Sequence, residues 1–281
     1  MTVYKTLFPL NLMSLAVSIF IPGLLATNLA INSLFFTPAF ALTAENSNLA
    51  ETSPTTIEAT EFLEWNQTAG TYIAKGNALV KQNQSSITAD HIIARYIVNG
   101  EKRDITRVIA SGGVVYIEGK NTARGEKLDY DLAGNVYVLT GEKSSVEGPR
   151  GVITATESIT YDATDDPNSK VTANGRARYQ NSDGRTVFGD KLIAYIRPDG
   201  TLKTISAYDN TKVITDNGTT ATADRLHYAA ETALANLDGN VEITDKENVM
   251  RGAKAKIDFD NEISRIISIP GGKRVSGILT P

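Results

Sequence analysis

The 281-residue chain contains no cysteine. Disulfides and cysteine-ligated metals are thereby excluded, while the compartment stays open, because many exported bacterial proteins also do without cysteine. Histidine is nearly missing as well: His91 and His227 are the only two, each read as a surface position, and two lone imidazoles make a poor zinc site. A broad basic footprint for nucleic acid is lacking, since the net charge is −4. There is no G-x-x-x-x-G-K-[ST] phosphate loop. GEKS at Gly141 lacks the upstream glycine and GGKR at Gly271 lacks the hydroxyl residue. No segment after residue 62 shows helical periodicity, which argues against an architecture built on amphipathic helices. No pair of carboxylates is singled out once, as a glycan-cleaving enzyme would need. Catalytic residues, metals and cofactors are therefore not expected.

What is present divides into three parts. The first 41 residues carry a single charge, Lys5, among long apolar runs, and they end in Ala39-Phe40-Ala41, a small-x-small cleavage pattern. Residues 1–41 read as a secretory signal. An uncleaved membrane anchor over Leu7–Leu29 is the competing reading, because about 20 apolar residues suffice to span a bilayer. Either reading places the body outside the cytoplasm. Residues 42–61 are polar and without period, and read as a disordered linker. Structure is expected over 62–281, where hydrophobic content of 41% and charged content of 21% for the whole chain fit a globular body.

That body repeats itself. GEKLDYD (Gly125–Asp131) returns as TESITYD (Thr156–Asp162), GDKLIAY (Gly189–Tyr195), ADRLHY (Ala223–Tyr228) and AKAKIDFD (Ala253–Asp260), with a looser copy, ADHIIARY, at Ala89–Tyr96. The closing aromatics Tyr96, Tyr130, Tyr161, Tyr195, Tyr228 and Phe259 lie 34, 31, 34, 33 and 31 residues apart. A fixed period signals a stacked architecture. A second marker keeps step: GNALV (Gly76–Val80), GGVVYI (Gly112–Ile117), NGRARY (Asn174–Tyr179) and GNVEI (Gly239–Ile243). Within each unit apolar residues alternate with period two, as in Ile153, Ala155, Ile159 and Tyr161, or Ala235, Leu237, Val241 and Ile243, which is the pattern of a strand with one dry face. Between the runs stand turn clusters such as Ser182–Gly184 and Asp216–Gly218, whose glycines and asparagines supply positive φ for tight hairpins.

Each unit of roughly 33 residues thus reads as two long antiparallel strands with two turns, giving roughly 13–16 strands in all. The marker glycine falls in mid-strand, where glycine marks a bulge or bend. Bends at matching heights fold the sheet across its middle, so that two half-sheets face each other with their apolar sides inward. A parallel β-helix is excluded by the hairpin turns, and a propeller by the short unit.

The motif G-N-[VA]-x-[ILV] followed by [GA]-[DEK]-x-[LI]-x-Y-D, repeated in an exported all-β chain, resembles the LptA/OstA family of periplasmic lipopolysaccharide-transport proteins. The ending GGKRVSGILTP (Gly271–Pro281) resembles the last strand of such proteins, and the likeness runs from Trp65 to Pro281. It implies an all-β fold of long antiparallel strands, bent at mid-strand into an open β-jellyroll or V-shaped groove. It also implies a Gram-negative periplasmic location, lipid A acyl chains in the groove, and protomers stacked head to tail. The stack would run between an inner-membrane extractor and an outer-membrane translocon of the same pathway. Parity and the repeat assign the groove lining to Ala78, Val80, Val114, Tyr116, Leu128, Tyr130, Leu139, Ile159, Tyr161, Ala177, Tyr179, Leu192, Leu226, Tyr228, Leu237, Val241, Ile243, Ile257 and Phe259. Small residues among them and at Ala110, Ala155, Ala173, Ala194 and Ala235 are expected to leave a slot open from end to end. Departures are the stretch AYDNTKVI (Ala207–Ile214), which lacks the Gly-Asn and predicts an altered bend, and the loops Ile97–Asp104 and Asp162–Lys170.

Four further expectations follow. The recurring acids Asp90, Glu126, Glu157, Asp190 and Asp224 are bend or rim residues, since catalysis does not need five copies. Asp162, Asp165 and Asp166 form a solvated turn rather than a calcium loop. Trp65 caps the N-terminal end. The open edges of the sheet are Thr71–Val80 and Lys273–Leu279, available for pairing between molecules.

Overall fold

The computed structural model describes residues 55–281 except 101, 165–167, 260, 262, 271, 273, 279 and 281. The expected signal, and residues 42–54 of the expected linker, lie outside the described residues. Regular structure among the described residues is entirely β. In chain order the strands are β1 (Thr56–Glu58), β2 (Phe62–Asn66), β3 (Thr71–Gln82), β4 (Ser85–Asn99), β5 (Lys102–Glu118), β6 (Asn121–Asp131), β7 (Val136–Thr140), β8 (Ser144–Gly148) and β9 (Gly151–Ala155). They continue as β10 (Ser158–Asp162), β11 (Ser169–Asn181), β12 (Thr186–Ile196), β13 (Leu202–Ile214), β14 (Thr220–Ala229), β15 (Leu234–Asp245), β16 (Asn248–Asp258), β17 (Ile263–Ile267) and β18 (Ser276–Ile278). All their pairings are antiparallel.

Ten of these strands cross the whole sheet. The other eight are halves of four broken passes, β1 with β2, β7 with β8, β9 with β10, and β17 with β18, because the members of each couple pair to different halves of their neighbours. The 18 strands are therefore 14 passes, within the range expected from the repeat. One layer holds β2, β7, β10 and β17 with the adjoining strand halves; the other holds β1, β8, β9 and β18. Apolar residues from both layers form one cluster between them, from Ala74 to Ala255.

The bend has a specific backbone cause. At Gly76-Asn77, Gly112-Gly113, Gly175-Arg176, Asp209-Asn210 and Gly239-Asn240, both residues of a doublet have positive φ, and the ladder register shifts there. Two residues on one strand then oppose one on the neighbour, which is a β-bulge that kinks and twists the strand. The opposing single residues include Asp90, Glu126, Asp190 and Asp224. The recurring acid is thus the partner of the bend, and each such acid is exposed, so no charge is buried. Asn240 Nδ2 donates to both oxygens of Asp224 at 3.1 and 3.0 Å, and Asn210 Nδ2 donates to Asp190 at 2.7 Å.

Three expectations are corrected here. The bend over Ala207–Ile214 is not altered: Asp209 (φ 55°) and Asn210 (φ 49°) adopt the doublet geometry without glycine, which short polar side chains tolerate better than others. Order begins before residue 62, since β1 at Thr56–Glu58 pairs with Leu79–Lys81 of β3. Thr71–Val80 is accordingly no edge; β1 and β2 cover it. At the far side β17 shares the edge with β18, both on β16.

At Gly239 (φ +80°) an added Cβ would run into the Asp224 carboxylate. Gly239→Ala is expected to lower stability by about 1–3 kcal/mol through backbone strain and this collision. Gly218→Ala, at a turn with φ +88° and open space around it, is expected to cost less. Urea midpoints at unchanged m would measure both.

Candidate functional site

The alternation of each strand puts one face between the layers. All nineteen residues assigned to the groove from sequence lie on that face. Val80, Tyr161, Ile257 and Phe259 are half-buried and pack against the core; the others are buried in it. The small residues behave as their parity predicts: Ala78, Ala110 and Ala173 are fully buried, and Ala155, Ala177, Ala194 and Ala235 nearly so. Sequence reasoning missed Ile92, Ile105 and Val108 of the first unit, Tyr137, and Ile205. Their signal was available, since Tyr137 alternates with Leu139 and Ile205 with Ala207.

The interior is not an open slot along its whole length. Two adjoining apolar cavities of about 180 and 50 Å³ lie between the layers at the N-terminal end and share Ile57, Val80, Ile92 and Ala94. A third, of about 30 Å³, lies towards the C-terminal end between Val187, Val213, Leu226, Tyr228 and Phe259. Between them stand tyrosines. Tyr130 and Tyr137 stack with centroids 3.8 Å apart, and Tyr161 meets Tyr137 edge-on at 5.9 Å. From the opposite layer come Tyr116 and Glu118, with the Tyr116 hydroxyl donating to the Glu118 carboxylate at 3.1 Å. Burial pushes the hydroxyls of Tyr116, Tyr130, Tyr137 and Tyr161 above their usual range, and the Glu118 charge adds to the effect at each.

Trp65 stands at the N-terminal end, as expected of a cap. Its indole Nε1 donates to Tyr96 Oη at 2.9 Å, and its ring stacks on Tyr72 at 5.9 Å. Both Trp65 and Tyr72 line the larger cavity. The Arg103 guanidinium lies 4.7 Å from the Trp65 ring centroid and 5.9 Å from that of Tyr96, distances at which a cation is attracted to an aromatic face. Around this mouth Phe62, Leu63, Ile97 and Val98 are exposed; around the other end Ile263, Ile267, Ile269, Val275 and Ile278 are exposed.

The remaining candidates are structural. His227 is exposed on the outer face, with Nδ1 2.9 Å from Ser206 Oγ; His91 is half-buried on β4. Asp162 accepts from the backbone N–H and hydroxyl of Thr164 at 3.0 and 2.6 Å, a local turn; Asp165 and Asp166 lie outside the described residues. Among the described residues no group of three or more His, Asp or Glu could hold a metal ion.

The geometry defines an antiparallel β-jellyroll, folded over along a line of bulges, with an apolar lining and two uncovered edges. A family model described as LptA/(LptD N-terminal domain) LPS transport protein matches residues 56–166 and again 163–263. The chain belongs to that family, and carries its unit twice in tandem. Among solved structures, that of LptH, titled the LptA homologous periplasmic component of the conserved lipopolysaccharide transport device from Pseudomonas aeruginosa, is 12% identical to the chain. The match covers 82% of this chain and 96% of that one, with a TM-score of 0.21, too low to bear on the fold. No curated protein matches the chain.

The tyrosine cluster sets a pH dependence. A phenol whose pKa is raised on folding keeps its proton where the unfolded chain, titrating near pH ~10, has lost it. The folded state then binds more protons, so stability is whole below about pH 10 and falls as pH rises beyond it. Wild type is expected to lose urea stability above about pH 10, with the tyrosinate absorbance of the clustered phenols appearing only on unfolding, as a step in a pH titration that coincides with loss of structure. Tyr137→Phe is expected to flatten that loss.

Proposed function

We propose that the chain is a passive periplasmic conduit that carries lipopolysaccharide from the inner to the outer membrane along its apolar groove, driven by an ATPase in a partner. Membership of a lipopolysaccharide-transport family supports the cargo class. The single observation that carries the mechanism is the predominantly apolar, alanine-rich inner face, which forms one cluster from Ala74 to Ala255 and ends at two uncovered edges. Burying an acyl chain there stabilises it by roughly 0.8 kcal/mol per methylene, on the order of 10 kcal/mol for about a dozen carbons. A row of near-equal apolar sites lowers the barrier to crossing water without any chemical step. No P-loop motif is present in the sequence, so the direction of movement is set by the partner.

The occupant enters between layers that now touch through side chains. The layers are joined through the bend and held by side-chain packing of one apolar cluster, contacts that an inserted acyl chain replaces with apolar contacts of the same kind. The exposed edges formed by β1 with β2 and by β17 with β18 present unpaired backbone groups, a template for adding strands. Pairing one edge on the other between molecules is heterologous and does not close, so it extends the groove from chain to chain.

A second reading is a ligand-free structural repeat of the exported-adhesin kind, favoured by the stacked tyrosines that fill the middle. The two part on one measurement. Purified protein is expected to bind lipid A without nucleotide in a displacement assay and to yield acyl lipids on extraction and mass spectrometry; protein free of lipid in both points to the structural reading. Deleting Gly272–Pro281, which removes β18, is expected to abolish concentration-dependent growth in light scattering. Unchanged oligomers after the deletion overturn the edge-pairing mode.

A further inference from the structure

A dry inner face should carry no charge, yet two arginines stand on it. Arg103 alternates with Ile105 on β5, and Arg185, just before β12, alternates with Val187; both partners are core residues. Each arginine is half-buried and lies against an aromatic ring that lines an apolar cavity. Arg103 rests on Trp65 of the N-terminal cavity. Arg185 lines the C-terminal cavity and lies 5.9 Å from the Phe259 ring centroid. Arg103 Nε and Arg185 Nη1 are buried and have no hydrogen-bond acceptor. A buried donor left without an acceptor costs about 1–3 kcal/mol, more for a charged group, so an inward cation of this kind calls for a counter-charge.

The chain itself supplies little of one. Among the described residues no carboxylate pairs with Arg103; Glu64, on the rim of the same cavity, is exposed and accepts from Asn66 Nδ2 at 3.5 Å. Arg185 Nε reaches the exposed Asp216 at 3.4 Å, while its buried Nη1 has no acceptor and the residue lines the cavity. Arg103 falls in the first family match and Arg185 in the second.

We infer that each tandem unit holds its own site for an anionic amphiphile, with an acyl chain in the apolar cavity and a phosphate or carboxylate head on Arg103 in the first unit and on Arg185 in the second. This rests on the carrier reading and deepens it. The planar guanidinium accepts an oxyanion through two parallel N–H bonds, and the ring beneath it fixes its plane. Glu118, the inner-face carboxylate near the tyrosines, lies between the two sites along the chain and disfavours an anion there. The heads are therefore held at two places, while the acyl lining is shared.

Trp65 is the only tryptophan, so its emission reports the first site alone. The protein is titrated with monomeric dodecyl phosphate, dodecanoate, a neutral dodecyl glycoside and inorganic phosphate, and bound ligands are counted by native mass spectrometry. Expected are two dodecyl phosphates per chain, binding about tenfold tighter than the neutral glycoside, and no response to inorganic phosphate. Arg103→Gln is expected to weaken the tryptophan response to dodecyl phosphate to that of the neutral glycoside while the second site keeps its anion; Arg185→Gln is expected to remove the second site's preference and leave the tryptophan response unchanged. Arg103→Lys, which keeps the charge and loses the fork, is expected to fall between. Should a glutamine variant melt early, the lysine variant and the wild-type comparison of charged with neutral ligands still decide the matter. Equal affinity for charged and neutral dodecyl chains overturns this inference and leaves the conduit standing; no binding of any dodecyl chain overturns both. A response to inorganic phosphate alone overturns the amphiphile in favour of a plain anion site.

Discussion

Everything in this molecule depends on a backbone conformation that most residues avoid. Five times, two consecutive residues in the middle of a strand take positive φ, and each time the strand turns over instead of running on. Without these doublets the chain would make a flat sheet of long hairpins with one greasy face in water, a form prone to aggregate. With them, that face is folded onto itself. The cost of the strained doublets is spread over many ladder hydrogen bonds and, at Asp209-Asn210 and Gly239-Asn240, offset by asparagine–carboxylate bonds that cross the bend. Packing does the rest, as burial of the inner face supplies the driving force that holds the two layers together.

The interior that results has two textures. At its ends, alanines and β-branched residues leave small dry cavities beside an arginine and an aromatic ring. In its middle, four tyrosines and Glu118 meet from both layers and fill the space. A conduit of the kind proposed has to pass cargo through the second texture as well as the first. The middle is where the layers touch through phenol rings, whose hydroxyls can trade one hydrogen-bond partner for another as the rings part. The tandem family matches give this arrangement a natural reading, with one terminal region for each copy and the cluster contributed by the end of the first.

The fold was legible in the sequence to an unusual degree because its two periods are so different. A two-residue alternation reports strands, and a recurrence near 33 residues reports their pairing. The inward set, from Ala78 to Phe259, followed from parity alone. What was not legible has physical reasons. Asp209-Asn210 bends like a Gly-Asn pair because backbone conformation, not glycine itself, makes the bulge, and residue type is only a proxy for φ. The short strand at Thr56–Glu58 offers a single inward apolar residue, Ile57, inside a polar stretch, too short a run to show alternation, so only its pairing with β3 reveals it. Whether the slot is open could not be read from side-chain size, since small residues allow either a void or a close approach of the layers. Arg103 and Arg185 were passed over because a charge next to a turn looks like solvent-facing punctuation until the layer opposite is in view.

Of the fourteen passes, two neighbouring ones lose regular strand structure at the fold line: between β7 and β8 at Gly141–Lys143, and between β9 and β10 at Thr156-Glu157. The covalent chain still crosses the crease there, as it does in the unbroken passes, and ties the layers like the spine of a book. Gly141 N–H donates to Glu157 O and Thr156 N–H to Gly175 O, so the two interrupted leaves are stitched to each other and to the next pass by individual bonds in place of a continuous ladder. The spine therefore changes its binding midway along the ribbon, close to the junction of the two tandem units.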